Sequence, residues 1–431
     1  MLSTPAEALA FLHSRSPSTV VLGLERMEVA LTELGHPERR LPAVHVAGTN
    51  GKGSTCAMVE AVLRQAGFYV GLYTSPHLVR FNERIRLDGR DISDAALGQR
   101  LLEVLQRSPA AGELTYFELG TLVAFWHFAA EAVDFAVLET GLGGRLDATS
   151  TCLPVATAIT ALGLDHMELL GDTLGAIARE KAGIFRAGVP AVVAAQAAEA
   201  EVVLDAEAAR VGAPLLREGQ DFSLTERGQH LVFRRGNRSL PGLVLGLAGA
   251  HQLHNAAVAL ALTDVLESQG ARIPDEARLQ GLRAVRWPGR LEALPGTPLL
   301  LFDGAHNPAG VEALRTALDT AYAGRRVHLV FAAVREKDVG QMLGRLLPRV
   351  VSATFTPLPN TPRGLEPEAY LVEARRGAAP VFVAASPAEA VEAARVRAAP
   401  EDVVLVAGSL YLVGAVKAYL ERGEGPATTQ G

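Results

Sequence analysis

Cysteine is nearly absent: Cys56 and Cys152 are the 2 in 431 residues, too few and too far apart for a disulfide framework or a metal-binding pair. The opening Met1-Leu2-Ser3-Thr4-Pro5 has no charged region leading into an apolar one, and no apolar run reaches the ~20 residues of a membrane helix. A disulfide-stapled secreted scaffold and a membrane-embedded protein are therefore excluded; a reducing cytoplasm and no membrane partner are expected. Basic runs are missing too. Lys and Arg total 41 against 47 Asp and Glu, a net charge of −6, so no stretch tracks a nucleic-acid backbone and no nucleic-acid partner is expected. Nor is there self-similarity at the roughly 20–50-residue periods of repeat arrays.

What the chain has is length and apolar content. At 431 residues it exceeds the size at which one core stops growing, and 49 % hydrophobic residues can fill two. It is organised around Val44-His45-Val46-Ala47-Gly48-Thr49-Asn50-Gly51-Lys52-Gly53-Ser54, an apolar strand running into a glycine-rich turn and then a helix. The glycines let backbone N–H groups converge on an anion and Lys52 adds a compact positive charge, which suits a triphosphate. The pattern G-x-x-x-x-G-K-[ST] is incomplete, because Val46 stands at the first glycine and Gly53 follows the lysine, moving the hydroxyl to Ser54. Taken alone, the stretch reads either as a phosphate cradle or as a tight strand-to-helix connection.

Polar residues recur where later apolar strands end, the place where open α/β sheets gather ligands. A strand over 69–73 ends in Thr74-Ser75-Pro76-His77, and one over 133–139 ends in Glu139, followed by Gly141-Leu142-Gly143-Gly144-Arg145-Leu146-Asp147-Ala148-Thr149. One over 155–159 leads to Gly163-Leu164-Asp165-His166. An acid at a strand tip beside a phosphate cradle is how such sheets hold Mg²⁺. Each residue also has a plainer reading: Ser75 as a cap before proline, His166 as a structural histidine, Lys181 as part of a solvated charge-paired face, Asn255 as a local cap rather than an adenine contact. The apolar loop 16–23 lines a ligand or is a buried connection. A hairpin is expected over 221–225 and 230–235.

Past Leu294-Pro295-Gly296-Thr297-Pro298 the pattern becomes regular strand–helix alternation, with strands at 299–302, 327–331, 352–355, 381–383 and 403–406. The expected division is 1–295 and 296–422, with a disordered tail over 423–431. The first strand of the second domain ends in Asp303-Gly304-Ala305-His306-Asn307-Pro308, again polar at a strand's carboxyl end and facing an expected substrate cleft.

In chain order, Gly48 to Ser54, Ser75-Pro76-His77-Leu78, Glu139 to Thr149, Asp165-His166, Glu180-Lys181-Ala182-Gly183-Ile184, His251-Gln252 with Asn255, Pro288-Gly289-Arg290 and Asp303 to Pro308 resemble the Mur ligase superfamily, most closely the folylpolyglutamate synthase/dihydrofolate synthase family. The incomplete cradle pattern is that family's own form. The resemblance implies an α/β protein with a P-loop, Mur-ligase-like ATP-binding domain and a smaller Rossmann-like doubly wound domain. It implies an ATP-dependent amide ligase: a carboxylate takes the γ-phosphoryl of ATP, and L-glutamate attacks the acyl phosphate.

By the same resemblance Gly48, Thr49, Asn50, Gly51, Lys52, Gly53 and Ser54 hold ATP phosphates, and Asn255, Arg290 and Asp303 contact the nucleotide, with His306 beside them. Ser75 and Glu139 bind one Mg²⁺ and His166 a second, supported by a carbamylated Lys181; Lys52, His166, Lys181 and His306 form the catalytic set. Thr19, Val20, Val21, Leu22, His77, Glu118, Leu119, Gly120, Thr121, Leu146, Asp147 and Ala148 take pterin-facing positions. The run Leu114-Thr115-Tyr116-Phe117-Glu118 favours the bifunctional type, which joins glutamate to dihydropteroate and then extends reduced folates, over a monofunctional folylpolyglutamate synthase. A monomer is expected. Ser150 departs from the family, which usually has Asn there. A cell-wall Mur ligase would need a further N-terminal domain, for which the short leader before Gly48 leaves no room, and a P-loop nucleotide switch would have little use for the second domain.

Overall fold

Uninterrupted apolar runs cannot face water on either side, and here they become the buried strands of parallel sheets. The computed structural model describes residues 2–16, 19–228, 230–359, 361–374 and 379–422. The expected disordered tail over 423–431, and the last two residues of a helix expected over 366–376, lie outside them. Contacts divide the chain into two units. The first takes the described residues up to Pro76, Phe81–Gly246 and Gln252–Val285; the second takes His77–Arg80, Leu247–His251 and the described residues from Arg286 onward.

The first unit holds a sheet of β1 (Ala43–Ala47), β2 (Val70–Tyr73), β3 (Ile85–Leu87), β4 (Arg90–Asp91), β5 (Phe135–Glu139), β6 (Pro154–Ile159), β7 (Ala191–Val193) and β8 (Leu215–Arg217), in the order β4-β3-β2-β5-β1-β6-β7-β8. Strands β2, β5, β1, β6, β7 and β8 run parallel, and β3 and β4 add an antiparallel edge. One core packs helices Pro5–Ser14, Glu25–Glu33, Asp94–Arg107 and Tyr116–Ala130, with Leu12, Met27, Leu101 and Phe125 fully buried. Another packs helices Leu174–Ala182 and Ala198–Val211 through Ala178, Ala200 and Leu204.

The expected hairpin is two strands of a three-stranded antiparallel sheet: β9 (Phe222–Arg227), β10 (His230–Arg235) and β11 (Arg238–Leu243). The third strand was hidden because it contains Pro241 and Gly242, tolerable on a sheet edge, which is where β11 lies.

The second unit holds β12 (Glu292–Leu294), β13 (Leu299–Phe302), β14 (Val327–Phe331), β15 (Ser352–Phe355), β16 (Val381–Val383) and β17 (Val403–Ala407), in the order β12-β13-β17-β14-β15-β16. All but β12 are parallel. Because β12 hydrogen-bonds antiparallel to β13, the residues just ahead of the Leu294–Pro298 stretch belong to this unit's sheet, and its long contiguous part runs from Arg286.

One polar cluster in the first unit escaped the sequence. Arg278, fully buried on helix Asp275–Ala284, donates to Thr263 Oγ1 (3.2 Å), Asp264 Oδ1 (3.0 Å), Glu267 Oε2 (2.8 Å) and the Ile273 carbonyl. Arg238 also donates to Asp264 Oδ1 (2.8 Å), so Arg278→Met takes one of two close arginine partners from that buried carboxylate and is expected to cost about 1–3 kcal/mol in urea unfolding. A loss under about 1 kcal/mol would show that the cluster is as weak as an exposed ion pair.

Candidate active site

Four adjacent strands deliver the site of the first unit. β2, β5, β1 and β6 are neighbours, Val46 pairs with Glu139 and Ala47 with Ile159, so the residues after each strand emerge side by side.

The cradle after β1 is held by its surroundings. The N–H groups of Thr49 and Asn50 both donate to the Ala161 carbonyl (3.1 and 3.0 Å), and the Thr49 hydroxyl exchanges hydrogen bonds with the N–H and carbonyl of Gly163 (both 3.1 Å). That staple draws the loop carrying Asp165 and His166 alongside the cradle. Gly48 (φ 150°) and Gly51 (φ 90°) occupy backbone that side chains avoid, and a Cβ would run into the Thr160 hydroxyl at the first and the Asn255 amide at the second. Lys52, first residue of helix Lys52–Gln65, lies over the loop with its amine 3.2 Å from the Thr49 carbonyl. Asn255 Nδ2 donates to Gln252 Oε1 (2.9 Å), and Gln252 Nε2 reaches the Ser54 hydroxyl (3.4 Å).

The ends of β2 and β5 are joined directly: the Ser75 N–H donates to Glu139 Oε2 at 3.1 Å. His166 sits in left-handed backbone (φ 51°), its N–H donating to the Asp165 carboxylate (2.9 Å) and its Nδ1 3.9 Å from Glu168 Oε1.

Lys181 is buried on helix Leu174–Ala182, with Nζ 2.8 Å from the Gly48 carbonyl. The surface reading therefore does not describe it. Burial, reinforced by the charge of Lys52, brings its ammonium down to about 7 against the opposing pull of Asp165 and Asp147. Glycine admits this packing: a Cβ on Gly144 would sit 2.8 Å from the Lys181 carbonyl, and one on Gly183 would enter the Arg145 backbone.

The loop after Glu139 is wound on Asp147. Its Oδ2 accepts from the N–H groups of Gly141 (2.9 Å) and Leu142 (2.8 Å), and its Oδ1 from the N–H of Thr149 (3.0 Å) and the Thr149 hydroxyl. Burial pushes this carboxyl up, and those donors pull it back. Ala148 is buried beside it and Leu146 half-buried.

The residues expected to face a pterin divide. Thr19 is exposed, and Val20, Val21 and Leu22 form an exposed apolar run, each close to 50 % accessible at 52, 48 and 49 %. Arg26 ties that run to Glu118, donating to the Val21 carbonyl (2.9 Å) and to Glu118 Oε1 (2.7 Å). Glu118 Oε2 also accepts from the Thr115 N–H (2.8 Å) as part of a capping box. Leu119, Gly120 and Thr121, in contrast, turn into the core: Leu119 is fully buried, a Cβ on Gly120 would touch Phe81 at 3.0 Å, and the Thr121 hydroxyl donates to the Phe117 carbonyl (2.9 Å).

His77, Arg290, Asp303 and His306 belong to the second unit. Asp303 Oδ2 accepts from the Leu291 N–H (2.9 Å) and Oδ1 from the Ala305 N–H (2.8 Å); burial pushes its carboxyl up, opposed by Arg290, whose guanidinium lies where Gly304 leaves room. His306 Nδ1 lies 2.7 Å from the Gly304 carbonyl.

Among the described residues no three His, Cys, Asp or Glu side chains gather to hold a metal. Glu139 and Ser75 instead bring oxygen donors to two adjacent strand ends, which suits a hard cation that keeps water and phosphate oxygens in its shell. Sequence reasoning missed two residues of this neighbourhood: Arg26, and His45, a polar side chain within the buried β1 whose Nε2 meets Thr149 Oγ1 at 2.8 Å.

The cradle, the strand-end carboxylate and the buried lysine fit an ATP-dependent ligase, and the family matches place the chain among the Mur ligases. The Mur ligase middle domain matches residues 46–263, and the Mur ligase glutamate ligase domain matches residues 289–410. The chain is 36 % identical to folylpolyglutamate synthase of Lacticaseibacillus casei, over 97 % of this chain and 99 % of the relative. It is 40 % identical to dihydrofolate synthase/folylpolyglutamate synthase of Bacillus subtilis, over 80 and 83 %. In structure it is similar to Escherichia coli FolC in complex with DHPP and ADP (TM-score 0.89, 34 % identity, 98 and 99 % covered). It is also similar to the bifunctional folylpolyglutamate synthase/dihydrofolate synthase of Yersinia pestis complexed with AMPPNP and Mn ion (TM-score 0.87, 36 % identity, 97 and 98 % covered). The chain belongs to the dihydrofolate synthase/folylpolyglutamate synthase family.

Because Gly51 combines left-handed backbone with contact on Asn255, Gly51→Ala is expected to weaken ADP binding at least about tenfold by calorimetry while leaving the far-UV spectrum unchanged. Binding as tight as the wild type's would remove this turn from the nucleotide site.

Proposed function

We propose that the chain is a bifunctional ligase: it uses ATP to activate the carboxylate of dihydropteroate, and then of reduced folates, and couples each to L-glutamate. The observation that carries the reading is the joining, at four neighbouring strand ends, of a phosphate cradle, a carboxylate and a buried amine. Relatives named for both synthase activities, and similar structures holding ADP, or AMPPNP with Mn ion, support it.

A carboxylate is a poor electrophile, so the γ-phosphoryl group of ATP passes to it; the glutamate amine then displaces phosphate and forms the amide. The catalytic demand is alignment and charge neutralisation. The N–H groups of Gly51, Lys52, Gly53 and Ser54 face the phosphates from the helix start, and Lys52 neutralises the outermost. Glu139 and Ser75 would hold one Mg²⁺ and His166 a second; the ions supply positive charge where phosphate and carboxylate oxygens converge. By the family resemblance, Asn255 in the first unit takes a nucleotide-contacting position, as do Arg290 and Asp303 in the second, where His306 stands beside Asp303. The exposed run of Val20, Val21 and Leu22 offers an apolar face to a pterin ring, and Arg26 braces that run against Glu118, whose carboxylate Arg26 and the Thr115 N–H hold.

Lys181 is the residue that takes up CO₂. With its amine near 7, about half is neutral at neutral pH. The nitrogen lone pair attacks the carbon of CO₂, a C–N bond forms, a proton leaves to solvent, and an anion stands where a cation would repel Mg²⁺. The enzyme works as a monomer, and its two free, buried cysteines fit the reducing cytoplasm.

Phosphate release from purified protein with ATP and Mg²⁺ is expected only when L-glutamate is present together with an acceptor, and with either dihydropteroate or a reduced folate as that acceptor. Release with reduced folate and glutamate but none with dihydropteroate and glutamate would make the enzyme monofunctional, and release with neither acceptor nor glutamate would contradict a ligase. Lys52→Ala is expected to lower kcat at least about a hundredfold; an unchanged rate at saturating ATP would remove its role. At fixed dissolved CO₂, activation should grow as pH rises through about 7, because a lowered lysine value means more neutral amine at higher pH. Activity insensitive to CO₂ from pH 6 to 8 would contradict the adduct.

A further inference from the structure

His45 lies in the middle of β1, fully buried, one strand position ahead of the run into the cradle. Burial, with Arg186 adding to it, brings its imidazole down to about 3, so the ring is neutral. Its Nε2 is 2.8 Å from Thr149 Oγ1, and the Thr149 hydroxyl meets Asp147 Oδ1. A hydroxyl has one proton. Asp147 accepts four donors, the N–H groups of Gly141, Leu142 and Thr149 and the Thr149 hydroxyl, which a carboxylate does and a protonated acid does not. The Thr149 proton is thereby committed to Asp147, and its oxygen accepts from the ring. That fixes the tautomer: Nε2 carries the hydrogen, and Nδ1, buried with no hydrogen-bond partner, carries none.

The far end of this chain is the backbone of Gly141 and Leu142, one residue removed from Glu139, whose carboxylate meets the Ser75 N–H. We infer that His45 is a positioning residue: its Nε2–H orients the Thr149 hydroxyl onto Asp147, which clamps the loop after β5 and aims the Glu139 carboxylate toward the end of β2. This rests on the proposed role of Glu139 in holding Mg²⁺. Packing alone does not call for the donor, since a leucine would fill the same buried position in β1; what His45 adds is one hydrogen-bond donor at one point.

The test pairs His45→Leu, which removes the donor, with His45→Gln, whose amide reaches near the Nε2 position. The readouts are the Mg²⁺ dependence of AMPPNP binding by calorimetry, which needs no turnover, and the long-range ¹H–¹⁵N spectrum of the imidazole in metal-free wild type. The expected spectrum is that of the neutral Nε2–H tautomer. His45→Leu is expected to raise the Mg²⁺ half-saturation at least about tenfold, and His45→Gln to return it to within about threefold of wild type. A Nδ1–H or doubly protonated ring would overturn the inference, as would a leucine variant that titrates like wild type. Equal loss in both variants would overturn it too, by showing that burial rather than the donor matters. If instead wild type binds Mg²⁺-AMPPNP but releases no phosphate with dihydropteroate or folate and glutamate, the ligase reading fails while the tautomer and titration still decide the role of His45.

Discussion

Everything in the first unit's site is referred to the backbone of the turn after β1. That turn spends its own polar groups on its neighbours: two N–H groups on the Ala161 carbonyl, one carbonyl on the amine of Lys181, one hydroxyl on Gly163. A loop bonded only to itself would keep its shape without fixing what stands beside it. This one cannot move without the β6 loop and helix Leu174–Ala182 moving as well.

The consequence is chemical. A buried amine on a backbone carbonyl keeps a lowered proton affinity only while water stays out, and the two close approaches at Gly144 and Gly183 close that space. The same glycine-rich loop carries Asp147, whose oxygens are used up on backbone and hydroxyl donors, so its part is to shape the loop that Glu139 opens. Asp303 plays the corresponding part in the second unit, binding the N–H groups of Leu291 and Ala305 to form the turn that presents Arg290 and His306.

The sequence showed these places where chemistry forced an unusual residue. Glycines at Gly48 and Gly51, the acid at the tip of an apolar strand and the polar run from Asp303 all stand out, because ordinary strands and turns do not need them. The parallel sheets were legible from apolar runs such as 133–139 and 403–406. Short half-exposed strands were not: Leu215–Arg217 shows no period, and Arg238–Leu243 carries a proline and a glycine that an edge tolerates. Lys181 looked like a surface residue, since Arg179, Glu180 and Lys181 in one run resemble a solvated face and only tertiary packing buries the last of them. Leu119 and Thr121, which take pterin-facing positions by resemblance, lie buried on the side of their helix that packs into the core, and the apolar run of that helix gave no sign of which side this is. His45 and Arg278 left no trace at all, because a lone polar residue among apolar ones says nothing of the partner that satisfies it.

The central claim is that a carboxylate is activated by phosphoryl transfer before glutamate attacks. The direct measurement is the fate of oxygen: with dihydropteroate labelled with ¹⁸O in its carboxylate, the phosphate released during turnover should carry one ¹⁸O, passed from the acid when the amide forms. Phosphate free of label, with the amide product still accumulating, would contradict the account.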